Sequence, residues 1–148
     1  MRLYECGVRY NKMQPNGQTK KITELYLVDA LTFTEAEARI IEKVKAEVSG
    51  DVEVISLKIT NYSEVITCNI DAEGKPSERA DKWFRVKVNY YPESANGGPK
   101  KVPSYYILNA DSMDEAHEVL AAFLRGTVTE HDVATFDESR IIEVYLHN

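Results

Sequence analysis

Two cysteines, Cys6 and Cys68, stand far apart in a chain of 148 residues and form no Cys-x-x-Cys motif. They read as small apolar fillers suited to a reducing compartment, and nothing in their spacing demands a disulfide. Long apolar runs are missing too, since no segment approaches the roughly 20 apolar residues of a membrane-spanning helix. The opening stretch MRLYECGVRY alternates polar and apolar residues and lacks the apolar block of a secretion signal, so a cytoplasmic location without membrane contact is expected. The three histidines, His117, His131 and His147, show no His-x-x-x-His spacing. No metal and no other cofactor is expected.

Catalytic signatures are equally scarce. There is no Gly-x-Ser-x-Gly turn, and a base for Cys6 would have to come from a distant part of the chain. The segment GGPKK resembles part of a phosphate loop, but it lacks the full Gly-x-x-x-x-Gly-Lys-Ser/Thr pattern and leads into a strand. Glu35, Glu37, Glu42 and Glu47 spread round a helix and read as its solvated side. His117, beside Glu118, reads as a solvated helix residue in the same way. These absences argue against enzymatic activity.

A basic surplus is lacking as well. Eighteen Lys and Arg against 24 Asp and Glu leave a net charge of −6, with 11 against 13 up to Ala80 and 7 against 11 beyond it. Neither half has the charge of a strong general DNA binder. What the chain does have is the 43% hydrophobic and 28% charged content of a globular protein. A chain of this size buries roughly 68–70% of its unfolded surface, enough for a core without staples.

It also has a repeat. NGQTKKITELYLVDALTFTEAEA from Asn16 is echoed by NGGPKKVPSYYILNADSMDEAHE from Asn96. Shifted by 80, Leu3–Glu42 lies on Trp83–Ala122 without a gap, and ten of the 40 positions are identical. Unrelated chains would match at about 6% of positions, so the register is not accidental. Tyr4, Cys6, Val8 and Tyr10 fall on one face of a strand, as do Phe84, Val86, Val88 and Tyr90. A loop containing Asn-Gly follows in each half, and then a return strand with apolar residues on both faces, which predicts a central position. Thr32-x-x-Glu35 and Ser112-x-x-Glu115 are matching capping boxes. They open helices expected near 33–48 and 113–125, with apolar stripes that begin at Phe33 and Met113 and include Phe123.

After each helix two more apolar segments are expected to form a hairpin, VEVISLKI with VITCNI and DVATF with RIIEVYL. There the register slips to 79, so that Glu64-Val65 matches Glu143-Val144. The expected fold is α+β: a tandem duplication of a ββαββ unit, with antiparallel sheets and one helix per half, packed as a pseudo-dimer. Residues 1–70 form the first repeat, 71–82 a polar linker and 83–148 the second. A four-stranded sheet with one helix leaves a face uncovered, which pairing would bury.

Lys20-Lys21 and Lys100-Lys101 recur at the same place in both halves. Arg9 and Lys12 lie near the first pair, Arg85 and Lys87 near the second, and Tyr10, Tyr90 and Tyr91 are close by. Basic β-ribbons with aromatics can contact phosphates and stack bases, although charged hairpin edges also prevent aggregation.

The stretch KKITELYLVDALTFTEAEARI, with NYSEV and ADKWF further on, resembles an uncharacterised family of small proteins from Bacteroides-type bacteria and their phages, which carries a similar YLVDA-x-x-FTEAEARI core. The resemblance implies a phage or mobile-element origin and assigns no catalytic residue. The leading expectation is a non-enzymatic binding or interaction protein acting on a protein partner. An accessory nucleic-acid binder in replication or recombination is the second. A protein that sequesters a small anionic ligand such as a nucleotide is the third.

Overall fold

Strand β1 (Arg2–Met13) buries Tyr4, Cys6, Val8 and Tyr10 on one face, as their period-two spacing requires. The computed structural model describes residues 2–67, 80–93 and 100–146. Strand β2 (Thr19–Ala30) returns in unbroken antiparallel register, from Arg2 opposite Ala30 to Met13 opposite Thr19. Helix α1 (Phe33–Lys45) and strands β3 (Val52–Ile59) and β4 (Tyr62–Ile66) follow. The same order then recurs as β5 (Lys82–Tyr91), β6 (Val102–Ala110), α2 (Met113–Leu124), β7 (Glu130–Glu138) and β8 (Ile141–Tyr145). The described residues are thus α+β, with the order ββαββ written twice.

Both helices start at their capping residues. Glu35 N–H donates to Thr32 Oγ1, and Glu115 N–H to Ser112 Oγ, each at 3.1 Å. The Glu35 carboxylate accepts in return from Leu31 N–H at 3.3 Å, one residue before the cap. The buried helical residues correspond: Ala36, Ile40 and Val44 in α1, and Ala116, Val119 and Leu120 in α2. Phe33 and Met113, expected to be buried, lie partly exposed in the first turns. Phe33 covers the edge of Tyr4 at 5.0 Å, and Phe123, also partly exposed, covers Tyr106 at 5.2 Å.

The sheets depart from expectation. Their strand orders are β3-β1-β2-β8 and β4-β6-β5-β7, so the last strand of each sequence half lies in the sheet of the other half. The expected hairpins β3–β4 and β7–β8 do not form, and the sheets are mixed rather than antiparallel. Strand β8 runs parallel to β2, and β4 parallel to β6. The connections explain why. Only Thr60-Asn61 separates β3 from β4, and only Ser139-Arg140 separates β7 from β8. A two-residue hairpin needs positive φ, which is why it favours Asn-Gly, yet neither connector has a glycine and among the described residues no non-glycine residue takes positive φ. Instead Thr60 gives both its N–H (3.0 Å) and hydroxyl (2.9 Å) to Leu3 O, and Ser139 gives both to Trp83 O at 2.8 Å. The chain, pinned there, moves on to the other sheet.

Two compact units result, one of residues up to 61 with those from 140 onward, the other of residues 62–139. The repeats expected at 1–70 and 83–148 therefore exchange their final strands. Residues 71–79 of the expected linker, and Cys68, lie outside the described residues.

Correspondence extends to irregularities. The β1–β3 register shifts at Gly7/Val8 and the β5–β7 register at Lys87/Val88, 80 positions on. In the exchanged strands, Glu64 stands opposite Tyr106 and Glu143 opposite Tyr26, consistent with the register of 79. At the first bulge Gly7 is required by space, because a Cβ there would collide with Ser56 Oγ. Each helix covers a core on one face of its sheet, built on Tyr4, Cys6, Val8, Tyr26, Val28 and Ile40 in one unit and on Phe84, Val86, Val88, Tyr106, Leu108 and Leu120 in the other. Burial, helped by the nearby Glu5 charge, pushes the Cys6 thiol up to about 12, an inert filler.

One buried position differs in chemistry between the units. Asn109 is fully buried; its amide donates to Ala80 O (2.9 Å) and Lys82 O (2.8 Å) while its oxygen accepts from Ala80 N–H (2.8 Å). Its counterpart Asp29 pairs with Arg39, whose own counterpart in α2 is Val119. No helix among the described residues is long and apolar enough to cross a membrane.

Candidate functional site

The β1–β2 hairpin is longer than the strands that flank it. Strand β3 accompanies β1 only from Tyr4 to Tyr10, and β8 accompanies β2 only from Leu25 to Val28. Beyond those points the hairpin has no neighbouring strand on either edge among the described residues and forms a two-stranded arm. Its tip is closed by Gln14 N–H to Gln18 O (2.7 Å), Gly17 N–H to Gln14 O (2.9 Å) and Gln18 N–H to Asn16 Oδ1 (3.0 Å). Gly17 takes φ +85°, the left-handed conformation this turn requires. The turn leaves a concave polar surface of about 520 Å³, lined by Gln14, Pro15, Asn16, Gln18, Thr19 and Lys20.

The arm concentrates positive charge. Lys12 stands opposite Lys20, Asn11 opposite Lys21, and Arg9, at the base, opposite Thr23. Directly opposed residues share a face, so Lys12 and Lys20 lie on one face and Arg9 and Lys21 on the other. From Val8 to Thr23 there is no Asp or Glu. Glu53 on β3 is opposite Arg9, but none of these four cations is within ion-pair distance of a carboxylate among the described residues. Like charges placed directly opposite repel, which an anion on the Lys12–Lys20 face would relieve. Lys12, which lacks a counterpart lysine in the second repeat, joins the group through its pairing with Lys20. Its distance from the turn, matching that of Lys20, is the signal that places it.

The second-unit candidates are arranged differently. Arg85 donates to Asp137 at 3.0 Å, and that hydrogen bond raises its already high pKa. Lys87 Nζ lies 5.8 Å from the Tyr105 ring centroid. Lys100 and Lys101 are exposed and precede β6, and residues 94–99 of that hairpin lie outside the described residues. Arg9, Lys12, Lys20 and Lys21 therefore form one group within the first unit, while Arg85, Lys87, Lys100 and Lys101 belong to the second.

Tyr10 and Tyr90 face the helices. The Tyr10 hydroxyl donates to Glu24, and the Tyr26 hydroxyl donates to the same carboxylate oxygen at 3.2 Å. Tyr26 stacks on Tyr145 at 5.9 Å. In the second unit the Tyr90 and Tyr106 hydroxyls bond each other at 2.7 Å. Each core thus ends in a pair of tyrosine hydroxyls, and Tyr10 is too buried to serve as a stacking platform beside the lysines. Tyr91, also noted in the sequence, donates to Asp132 at 3.1 Å.

Burial, reinforced by the hydrogen bond to Glu24, pushes Tyr10 up to about 12. Burial with the Glu24 charge raises Tyr26 as well, and burial with the Tyr106 hydrogen bond raises Tyr90. These folded-state phenols keep protons that the unfolded chain gives up near pH 10, so the unfolded state binds fewer protons above that point. Their contribution to stability is complete below about pH 10 and is lost as pH rises towards 12. Denaturant midpoints measured between pH 8 and 12 are expected to fall only above about pH 10. Tyr10→Phe should make that fall shallower, and an unchanged slope would contradict this account.

A family model described as a domain of unknown function (DUF4494) matches residues 2–147, nearly the whole chain. No curated protein matches, and no solved structure matches.

Proposed function

We propose, for a chain that belongs to this family of unknown function, a non-enzymatic role in binding nucleic acid through the β1–β2 arm. The observation that carries the reading is the arm itself: among the described residues a two-stranded ribbon without flanking strands, bearing Lys12, Lys20 and Lys21 and no carboxylate, with Arg9 at its base beside β3. A two-stranded ribbon fits the major groove of duplex DNA, and Lys, Asn, Gln and Thr side chains are the usual phosphate and sugar contacts. The amides and hydroxyl at the tip, from Gln14, Asn16, Gln18 and Thr19, supply that second group. The net charge of −6 works against unspecific adhesion elsewhere on the surface, so contact is local and of modest affinity.

The matching bulges, caps and connectors support descent of both units from one duplicated ββαββ element. A phage or mobile-element origin belongs to the same reading and rests on the sequence resemblance alone.

Titration of duplex and single-stranded oligonucleotides at low salt tests the role. The intact protein is expected to bind duplex more tightly, with log K falling by about 0.9 per phosphate contact for each unit of log salt. Replacing Lys12, Lys20 and Lys21 together by Ser should abolish binding and flatten the slope. Stability should change by no more than about 0.5 kcal/mol per site, because all three are exposed. Undetectable binding by the unmodified protein would eliminate this reading and direct attention to a protein partner.

A further inference from the structure

The two units differ most where helix and edge strand meet. Helix α1 packs on β1, β2 and β3, whereas α2 packs chiefly on β6 and β4 and meets β7 where His117 stacks on Phe136. Between α2 and β7 a groove of about 460 Å³ opens, wholly within the second unit. Its helix side is formed by His117, Leu120, Ala121 and Leu124, with Arg125 at the end. His131 and Val133 line its strand side.

Substitutions between the repeats account for the opening. At offset 80, Ala121 replaces Ile41, and His117 replaces Glu37. At offset 79, His131 replaces Val52. In the first unit Val52 and Val48 pack against the core beside α1. Val128, the counterpart of Val48, is instead 98% exposed. The second unit therefore carries less apolar side-chain volume at these positions, with an imidazole in place of Val52 and another in place of the Glu37 carboxylate.

We infer that this groove binds a small amphipathic anion, an apolar body carrying a carboxylate. Leu120, Leu124 and Val133 offer the apolar wall, and a pocket of this size falls in the range of small-ligand sites. Arg125 supplies a guanidinium with no carboxylate within ion-pair distance among the described residues. A guanidinium matches a carboxylate in a two-point fork. Among the described residues no acidic one lines the groove, and on β7 Asp132 is engaged by the Tyr91 hydroxyl. His131 donates through Nδ1 to Thr129 O at 2.8 Å, which holds the ring in place, and His117 is stacked on Phe136 at 4.1 Å. The polar rim is therefore positioned before any ligand arrives. This site is independent of the β1–β2 arm and does not require the nucleic-acid reading.

Decanoate, below its micellar concentration, is the probe, with decanol as the uncharged control. Decanoate is expected to bind saturably and to shift the nuclear resonances of His117, His131 and Val133, while decanol binds about tenfold more weakly. Ala121→Ile, which adds side-chain volume to the helix wall of the groove, should abolish both while leaving circular dichroism and thermal midpoint intact. Arg125→Gln should fold normally and erase the preference for decanoate over decanol. No saturable binding, unchanged binding by folded Ala121→Ile, or a preserved preference in Arg125→Gln would each overturn the inference.

Discussion

Val144→Asp should unfold the first unit's sheet although residue 144 lies near the end of the second sequence half. Val144 is fully buried, and it stands opposite Leu27, also fully buried, in the parallel β2–β8 pair. An aspartate there places an unpaired carboxylate in apolar surroundings and removes the valine's own burial, a loss of about 4 kcal/mol or more. That is a large part of the whole stability of a domain this size. The milder Val144→Ala, at about 2 kcal/mol, keeps the protein folded enough for site-resolved measurement. Amide hydrogen exchange then locates the damage. Protection should fall at Leu25–Val28 in β2 and in β8, with β7 and α2 little affected. If protection fell instead along β7, β8 would be pairing with its own half and the exchanged topology would be wrong.

Asn109→Ala is the second large effect. The side chain holds Ala80 and Lys82 through three hydrogen bonds in a fully buried site, and truncation leaves an N–H and two carbonyls without those partners. At about 1–3 kcal/mol for each unsatisfied group, partly relieved by relaxation, a loss of about 3 kcal/mol is expected in denaturant unfolding. Asn109→Asp is the sharper test, because it keeps the acceptor for Ala80 N–H but turns a carboxylate towards two carbonyl oxygens. Its deficit should be large at neutral pH and smaller in acid, where the protonated carboxyl donates one bond again. Combining it with Val119→Arg imports the Asp29–Arg39 pairing of the first unit, and should recover part of the loss. A deficit in Asn109→Asp that did not vary with pH would show that the amide's donated bonds are not what anchors residues 80–82.

The repeat made most of each unit legible. Period-two faces at Tyr4–Tyr10 and Phe84–Tyr90, and the capping pairs Thr32/Glu35 and Ser112/Glu115, act through local geometry, and local geometry is what a sequence displays. The central place of β2 and β6 could be read from their two apolar faces. What could not be read from apolar pattern was the partner of β4 and β8, since alternation gives a strand its faces but not its neighbours. A clue was present in Thr60-Asn61 and Ser139-Arg140, two connectors of hairpin length that lack the glycine a two-residue turn favours. The candidate site was legible in composition at Lys20 and Lys21. Its form depended on where β3 and β8 stop, which no local pattern reveals. The burial of Tyr10 and Tyr90 against the cores is not legible in the same way, because alternation alone does not separate a core tyrosine from a ligand-facing one.

The exchange of β4 and β8 also changes what it means to divide this chain. A protease cut between Thr67 and Ala80 would separate the polypeptide into two pieces, yet each piece would keep one strand hydrogen-bonded in the other's sheet. The covalent connection is therefore not what keeps the two fragments in company. Like two clasped hands, they would part only if both grips were released, and a chain built so can have its backbone interrupted there and still travel as one particle.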